Sequence, residues 1–467
     1  FVLGCAAGHL DEFPWQQWVG HKEGCDRRKA LRLVTRGAGL KGLWVTCSGC
    51  SNGRSMEHAF SSAMMRRMNI QCSGRRPWLP GANETCTHPD PPQAAQRGAS
   101  NLYFPATDSA LDIPPWTDEF QTALGHNWAA LQTAETPEDA DMIVRLVVWP
   151  QWDGQPMSLE MMQQKVRQRL ALINVPEGLD IRGEEYQQLT LGEATRDPKS
   201  EFCIRPEPVP PALSAFLSNL VRVVRLREVR ALYGFTRIYP PSGEFGSGTC
   251  SPLSAAPKKW LPATEVRGEG IFISLEEEKV RRWEVQPTVQ ERAAHVDRGW
   301  REVWKERGNE GEPPFPITPR LIMIHTLAHL LMRQLALDCG YSTSSIRERI
   351  YASNDEQGMC GLLIYTSAAD ADGTLGGLER QGKPERVVPL LQDAVRSAEW
   401  CSSDPLCMSG LSSWSEAGNL AACHSCVLAP ETACEHFNRF LDRAMIIGLP
   451  QDPAVGFFHE LLALDAT

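Results

Sequence analysis

The longest run of apolar positions in the chain follows a proline-rich segment near residue 315. Residues 321–337 are apolar on nearly every side, the pattern of a helix that is buried all round. Thr318 is a suitable N-cap, Pro319 suits the first helical position and Gly340 a terminating position. A second apolar run, 361–366, predicts a buried strand.

The pattern elsewhere divides the chain into four regions. Residues 1–116 lack long periodic stretches and predict loops and short strands held by metal, whereas 117–240 predict a mostly helical region with short strands at 139–148 and 235–239. Residues 241–400 predict a mixed α/β core with a charged helix at 276–307, and 401–467 a Cys-rich zinc-binding tail. The predicted fold class is therefore α+β, with several domains and zinc at both ends.

Charge limits the partners that we expect. The chain has 467 residues, 42% of them hydrophobic, which is enough for about three ordered domains. Its formal net charge is −10, whereas a protein that binds nucleic acid alone across many phosphates is usually basic. Any DNA contact should therefore use a local basic patch or be shared with a partner.

Two segments are candidates for such a patch. Arg97 lies near Tyr103 and Phe104, which could clamp a nucleotide strand, although such aromatic residues are often core. Four arginines on one face of a predicted helix form the best local phosphate-binding patch by composition, although such a face is more often simply solvated: Arg222, Arg225, Arg227 and Arg230.

Fifteen cysteines supply the main candidate chemistry. Disulfides would need an oxidising compartment, but no secretory signal peptide and no run of about eighteen apolar residues is visible. We therefore expect zinc rather than disulfides, and a cytoplasmic location. Four thiolates suffice for one tetrahedral zinc ion. The tail offers five candidates: Cys401, Cys407, Cys423, Cys426 and Cys434.

The N-terminal region offers two further sets of donors. Cys47 and Cys50 form a Cys-x-x-Cys pair, and together with Cys72 and Cys86 they predict a zinc ribbon with a long insertion. A second set has two donor pairs, each about one helical turn apart: Cys5 with His9 and His21 with Cys25. These four could close a separate zinc site, or be surface histidines and buried thiols.

His325 and His329 lie one helical turn apart on the predicted buried helix. They resemble half of a zinc-protease helix, but Thr326 stands where that mechanism needs a glutamate. Two interpretations stay open: the histidines are hydrogen-bonded within the core, or they touch a ligand or DNA.

The sequence contains neither a Gly-x-x-x-x-Gly-Lys-Ser/Thr loop nor a Gly-x-Ser-x-Gly motif, so we expect an accessory protein rather than an enzyme. The alternative is a metal-dependent nuclease or hydrolase in which His325, His329 and a loop at Asp370 converge on a catalytic metal. Such a site needs an open coordination position.

An ordered set of short motifs carries a resemblance to a known family. The motifs are FVLGCAAGHLDEFPW at 1–15, RGASNLYFP at 97–105, EVRGEGIF at 265–272, HTLAH at 325–329, GTLGGL at 373–378, CHSC at 423–426 and FLDR at 440–443. Together they resemble the DrmB family, the helicase-associated subunits of DISARM anti-phage defence systems. The resemblance covers most of the chain and is weakest between about 117 and 235.

The resemblance implies a partner, a ligand and a metal. It implies a heterodimer with DrmA, a superfamily 2 helicase, and binding of DNA by the pair, including single-stranded or overhang-bearing ends. The C-terminal part is similar to the metal-binding tail domain of bacterial repair helicases, in which four cysteines hold zinc. That similarity implies Cys401, Cys407, Cys423 and Cys426 as the ligands, with Cys434 as the substitute.

Overall fold

The computed structural model of the chain describes residues 1–26, 30–79, 81, 84–113, 119–131, 133–134, 136–152, 158–173, 180–192, 194, 200–241, 250–306, 311–354, 358–366, 377–410 and 418–463. Its strands are β1 (Val2–Gly4), β2 (Leu10–Glu12), β3 (Leu31–Thr35), β4 (Leu43–Cys47), β5 (Gly53–Ser55), β6 (Gln93–Ala95), β7 (Phe104–Leu111), β8 (Cys203–Glu207), β9 (Leu217–Thr236), β10 (Ala263–Leu275), β11 (Ile346–Ala352) and β12 (Cys360–Thr366). Its helices are α1 (Trp15–Val19), α2 (Gly39–Gly42), α3 (Ser62–Arg67), α4 (Glu119–Leu131), α5 (Pro137–Ile143), α6 (Leu159–Ile173), α7 (Ile181–Leu191), α8 (Glu277–Glu284), α9 (Pro287–Glu306), α10 (Pro319–Cys339), α11 (Pro384–Ser397), α12 (Ala444–Ile447) and α13 (His459–Ala463).

Helices occur together with antiparallel sheets, so the predicted α+β class is confirmed, and the chain forms two compact units. The smaller unit contains residues 1–109 and 230–264, and the larger contains 110–229 and 265–467. These boundaries differ from the four predicted regions because the two long strands β9 and β10 carry the chain out of the larger unit and back into it. Among the described residues, no helix combines the length and the apolar character needed to span a membrane.

Short antiparallel sheets build the smaller unit. One sheet has the strand order β2-β1-β6 and the other the order β3-β4-β5. Side chains from the segments around them, including Phe13, Trp18 and Met56, share one small core. Because this core is small for so many loops, additional cross-links such as metal ions are expected to stabilise the unit.

A central antiparallel sheet organises the larger unit, with β11, β12, β10 and β9 in that order and β8 paired with β9. Leu362 and Ile364 of β12 pack into the core on one face, and Leu363 and Tyr365 pack into the core on the other. Every residue of β12 is therefore buried, as its apolar sequence predicts.

The buried helix predicted from the apolar run is α10. The Thr318 side chain accepts a hydrogen bond from the Leu321 N–H, Pro319 occupies the first turn, and Gly340 ends the helix at φ +73°. Residues from Pro319 to Met332 are all buried. The helix lies against the face of the sheet formed by β11 and β12.

Three predicted elements differ in the structure. Residues 139–148 are helical rather than extended, because Thr136 and Asp139 form a capping box and Pro137 takes the first position of α5. The predicted charged helix is interrupted before Pro287 and becomes α8 and α9. The arginine-rich segment 222–230 belongs to strand β9, in which Val221 and Val223 pack into the core on one face and Leu220 into the core on the other.

Candidate metal centres

Four tail cysteines converge on one point in the larger unit. The sulfur atoms of Cys401, Cys407, Cys423 and Cys426 all lie within 4.8 Å of one another, and all four residues are buried. Cys401 Sγ lies 3.4 Å from Cys423 Sγ, and Cys407 Sγ lies 3.7 Å from Cys426 Sγ. These distances exceed the ~2.05 Å of a disulfide and are close to the ~3.8 Å that separates thiolates bound tetrahedrally to one zinc ion.

The local backbone explains how the Cys423–Cys426 pair presents its sulfurs. The N–H groups of Cys426 and Val427 both donate to the Cys423 carbonyl oxygen, at 3.2 and 3.0 Å, which closes a tight turn. The Cys423 N–H donates to Cys426 Sγ at 3.3 Å. Such N–H to sulfur hydrogen bonds stabilise thiolate, the form that binds metal.

A buried arginine offsets the negative charge of this group. Arg443 is fully buried, forms an ion pair with Asp404 and donates to the Ala398 carbonyl oxygen at 2.7 Å. A hydrogen bond from Cys426, together with the Arg443 charge, lowers the pKa of Cys407 to about 6. Thiolate is therefore available at neutral pH.

Two donor groups occupy the smaller unit. In the first, Cys5, His9, Cys72 and Cys86 place one donor atom each within 4.8 Å of the others. Cys5 Sγ lies 3.7 Å from Cys86 Sγ, and Cys72 Sγ lies 3.4 Å from His9 Nδ1. His9 Nε2 lies 2.6 Å from a Glu84 oxygen, so Nε2 carries the proton and Nδ1 is left to bind metal.

The turn that carries Cys5 and His9 needs glycine. Gly8 has φ +87°, and a Cβ there would lie 1.6 Å from Ser251 Oγ. The Gly8 N–H donates to the Cys5 carbonyl oxygen and the Cys5 N–H to the His9 carbonyl oxygen, at 2.8 and 3.0 Å. The turn therefore holds both donors on the same side.

The second group contains His21, Cys25, Cys47 and Cys50. Cys25 Sγ lies 3.8 Å from Cys47 Sγ, and His21 Nδ1 lies 3.4 Å from Cys25 Sγ and 3.7 Å from Cys50 Sγ. His21 Nε2 lies 2.9 Å from Gln16 Oε1 and donates to it, so again Nδ1 faces the sulfurs.

This arrangement corrects the predicted grouping of the N-terminal donors. Cys47 and Cys50 lie with His21 and Cys25 rather than with Cys72 and Cys86, and the latter two lie with Cys5 and His9. In sequence the second set is nested between the two halves of the first. The first set still meets in space because β1, β2 and β6 pair distant segments in one sheet, while β3, β4 and β5 form the other.

One thiol in each N-terminal group is acidified. A hydrogen bond from Cys5 lowers the pKa of Cys72 to about 5. A hydrogen bond from the Lys22 backbone, with a second from the Asn52 backbone, lowers the pKa of Cys50 to about 6. Each group therefore contains at least one thiolate near neutral pH, as a zinc site requires.

A fourth group lies in the core of the larger unit, beside α10. His325, His329, Glu348 and Cys434 are buried, and one donor atom from each lies within 4.8 Å of the others. Glu348 is not among the donors predicted from the sequence. It faces α10 because successive side chains of β11 point to opposite faces of the sheet, so that Ile346, Glu348 and Ile350 share one face. In the sequence, the only sign of this position is a carboxylate between two apolar residues of the same face.

The placement of this group bears on three predictions. Cys434 does not join the other tail cysteines, because its sulfur lies 3.1 Å from His325 Nε2. His325 and His329 are fully buried, so the prediction that they contact DNA does not fit their position. Asp370, required by the hydrolase alternative, and Gly373 of the glycine-rich motif lie outside the described residues.

The proton states in this group follow from burial. Burial lowers the pKa of His325, although the Glu348 carboxylate opposes that shift. Burial, together with the neighbouring His325, lowers the pKa of His436 to about 3, so this nearby imidazole is neutral. Burial raises the pKa of the Cys434 thiol, and the Glu348 charge raises it further.

The basic DNA candidates are distributed unevenly. Arg222 is buried and pairs with Glu207 and Glu379, so the structure does not present it to a phosphate. Arg227 forms an ion pair with Asp112. Arg230 is half-buried, whereas Arg97 and Arg225 are exposed.

Comparisons with known proteins show the class of protein to which the chain belongs. Residues 327–427 match the family described as the MrfA Zn-binding domain, a span that contains Cys401, Cys407, Cys423 and Cys426. Residues 1–104 match a domain of unknown function, DUF8724. With the cysteine-rich donor groups, these findings define the chain as a zinc-binding protein.

The family follows from a curated relative. The chain is 30% identical to the DISARM protein DrmB of Bacillus paralicheniformis, over 99% of this chain and 82% of that protein. The chain therefore belongs to the DrmB family, and the resemblance seen in the short motifs is confirmed.

Proposed function

We propose that this chain is a non-motor subunit of a bacterial anti-phage complex of the DISARM type. In this proposal it pairs in the cytoplasm with a DrmA-like helicase of superfamily 2, and the pair holds foreign DNA that is single-stranded or carries an overhang. Membership of the DrmB family supports the assignment to DISARM. The tail zinc, held by Cys401, Cys407, Cys423 and Cys426, has a structural role because four protein donors leave no position for water.

The observation that carries the helicase pairing is a pair of exposed apolar side chains beside the tail cysteines. Trp400 and Leu406 are 73% and 61% exposed, and each immediately precedes a buried cysteine of the group, Cys401 or Cys407. Tryptophan is enriched among the residues that dominate binding energy at interfaces, and a contiguous exposed apolar patch marks such a surface. The zinc site would hold this short segment rigid for the helicase.

DNA binding is assigned to the pair because the chain alone is poorly suited to it. The net charge is −10, and in the most basic segment Arg222 and Arg227 form ion pairs with carboxylates of the same chain. Arg97 and Arg225 are the exposed candidates for contact with phosphate. The helicase would supply ATP hydrolysis and most of the positive surface.

The test is co-purification of the chain with a DrmA-like helicase, followed by fluorescence anisotropy with overhang and blunt DNA across a salt series. We expect tight binding by the pair, at least tenfold weaker binding by the lone chain, and a preference for the overhang. Trp400→Ala with Leu406→Ala should weaken pairing at least tenfold.

Leu337→Ala is the matched control, since Leu337 is 78% exposed and lies at the end of α10. It should leave pairing unchanged. DNA binding by the lone chain as tight as by the pair would contradict the accessory role, and metal-dependent cleavage would support the hydrolase alternative instead.

A further inference from the structure

The four donors beside α10 come from three separate elements. His325 and His329 lie one turn apart on α10, Glu348 lies on β11, and Cys434 follows the 3-10 turn Glu431–Ala433. His325 Nε2 is 3.1 Å from both Cys434 Sγ and Glu348 Oε1, and His329 Nε2 is 3.5 Å from Glu348 Oε2. For a tetrahedral zinc ion, the expected nitrogen–sulfur and nitrogen–oxygen separations are about 3.6 and 3.3 Å.

Two of these atoms face each other without a hydrogen bond. His329 Nδ1 lies 3.0 Å from the Val427 carbonyl oxygen, which can only accept a hydrogen bond, so Nδ1 carries the ring proton. Nε2 is therefore unprotonated and can only act as an acceptor or a metal ligand. Nε2 points towards Glu348 Oε2, which is also an acceptor. Both atoms are fully buried and lack a hydrogen-bond partner among the described residues. Buried acceptors of this kind cost about 1–3 kcal/mol each unless a cation or donor lies between them.

A hydrogen-bonded core does not account for this arrangement. Glu185, another buried carboxylate in the larger unit, receives two bonds from Arg349, one from Tyr351 and one from the Leu111 N–H. Within the part of the chain that the structure describes, Glu348 has one backbone donor, Glu435 N–H, and no salt bridge to arginine or lysine. Glu348 is therefore surrounded as a metal ligand would be. The neighbouring His329 also has the surroundings of a metal ligand, because a backbone carbonyl group orients its other ring nitrogen.

We propose that His325, His329, Glu348 and Cys434 form a further metal site that holds a divalent transition metal of the zinc type. Metal binding displaces the proton of the Cys434 thiol, and the resulting thiolate and the Glu348 carboxylate balance the two positive charges of the ion, which suits a position closed to water. Two imidazoles with a thiolate exclude magnesium and calcium, which prefer oxygen donors. Four protein donors make the site structural, joining α10, β11 and the segment at Cys434.

This site is separate from the tail group, although the two are close in sequence. His329 is oriented by Val427, the residue that follows the tail donor Cys426. The region that matches the MrfA Zn-binding domain, 327–427, contains neither His325 nor Cys434. The extra site would therefore link that domain to the segment beyond it.

The test is the metal content of the full chain, purified without chelator and collected as a single folded species. Cys434→Ser and Glu348→Gln should each lower zinc by one ion per chain. Cys360→Ser is the matched control, because Cys360 is buried in β12 of the same unit and should keep every ion. Unchanged zinc in folded Cys434→Ser or Glu348→Gln chain would overturn the proposal.

A double variant separates this site from the tail site. Cys423→Ser with Cys434→Ser should lose two ions, whereas a loss of one would place Cys434 in the tail site and overturn the proposal. If the variants do not fold, zinc-edge X-ray absorption of the unaltered chain decides. The four donor groups predict about 1.3 nitrogen or oxygen donors per zinc, and the three groups without this one predict about 0.7.

Discussion

Glu348 and Arg349 are adjacent in strand β11 and point into opposite cores of the larger unit. Glu348 faces the two histidines of α10, at 3.1 and 3.5 Å. Arg349 faces α7, where its Nε and one terminal nitrogen donate to the two oxygens of Glu185 at 2.5 and 2.6 Å. Two adjacent charged residues thus lie on opposite faces of one sheet. Glu348 belongs to the donor group on one face, and Arg349 forms a buried ion pair on the other.

The Arg349–Glu185 pair predicts a large effect on stability. Arg349→Met leaves the fully buried Glu185 carboxylate without its cation, and we expect the free energy of unfolding to fall by about 3–5 kcal/mol. Adding Glu185→Gln should recover part of that loss, because the Glu185 charge disappears while the buried Glu228, 3.9 Å from Arg349, keeps its own charge. Urea denaturation followed by tryptophan fluorescence measures both. Arg396→Met, which breaks an exposed pair with Asp393, should cost less than about 1 kcal/mol.

The tail cysteines predict a local loss of structure on zinc removal. Cys426→Ser should remove one zinc ion per chain and make the segment around Cys401 and Cys407 sensitive to chymotrypsin, which cleaves after Trp400 and Leu406, because the ion no longer ties that segment to Cys423. Zinc content and limited proteolysis are the measurements. Cys203→Ser, at a half-buried cysteine of β8 outside the donor groups, should change neither. Full zinc occupancy in Cys426→Ser would contradict the assignment of this ligand.

Two buried tyrosines predict how stability changes at high pH. Burial raises the pKa of Tyr351 and of Tyr365 above the ordinary value near 10. Because the pKa in the folded state is the higher one, the stabilisation is complete below pH about 10 and is lost as pH rises further. Absorbance at 295 nm should show a late rise that coincides with unfolding. Tyr351→Phe and Tyr365→Phe should each reduce that late rise, whereas Tyr103→Phe, at an exposed ring, should not.

The sequence predicted local features better than distant contacts. The cap at Thr318, the buried helix and the buried strand β12 follow from neighbouring residues, and the structure confirms them. Strand β9 was mistaken for a helix because its arginines recur at a spacing that also fits a helical face. The position of Glu348 and the grouping of the N-terminal donors depend on which strands pair, and pairing between distant segments leaves no local signature.

The two nested sets of donors in the smaller unit make a prediction that single variants cannot test. Cys25 and Cys47 belong to one group and Cys72 to the other, with Cys25 Sγ 3.8 Å from Cys47 Sγ. If each group holds one zinc ion, Cys25→Ser and Cys47→Ser together should lose one ion, because both substitutions empty the same site. Cys25→Ser and Cys72→Ser together should lose two.

For a second double variant, the grouping inferred from sequence order and the grouping in the structure predict different losses of zinc. With Cys47, Cys50, Cys72 and Cys86 as one ribbon, Cys47→Ser and Cys72→Ser together would lose one ion, whereas the structure predicts a loss of two. Native mass spectrometry of the full chain counts the ions directly. Cys203→Ser paired with Cys25→Ser is the control and should lose one ion, so each double variant is compared at equal numbers of substitutions.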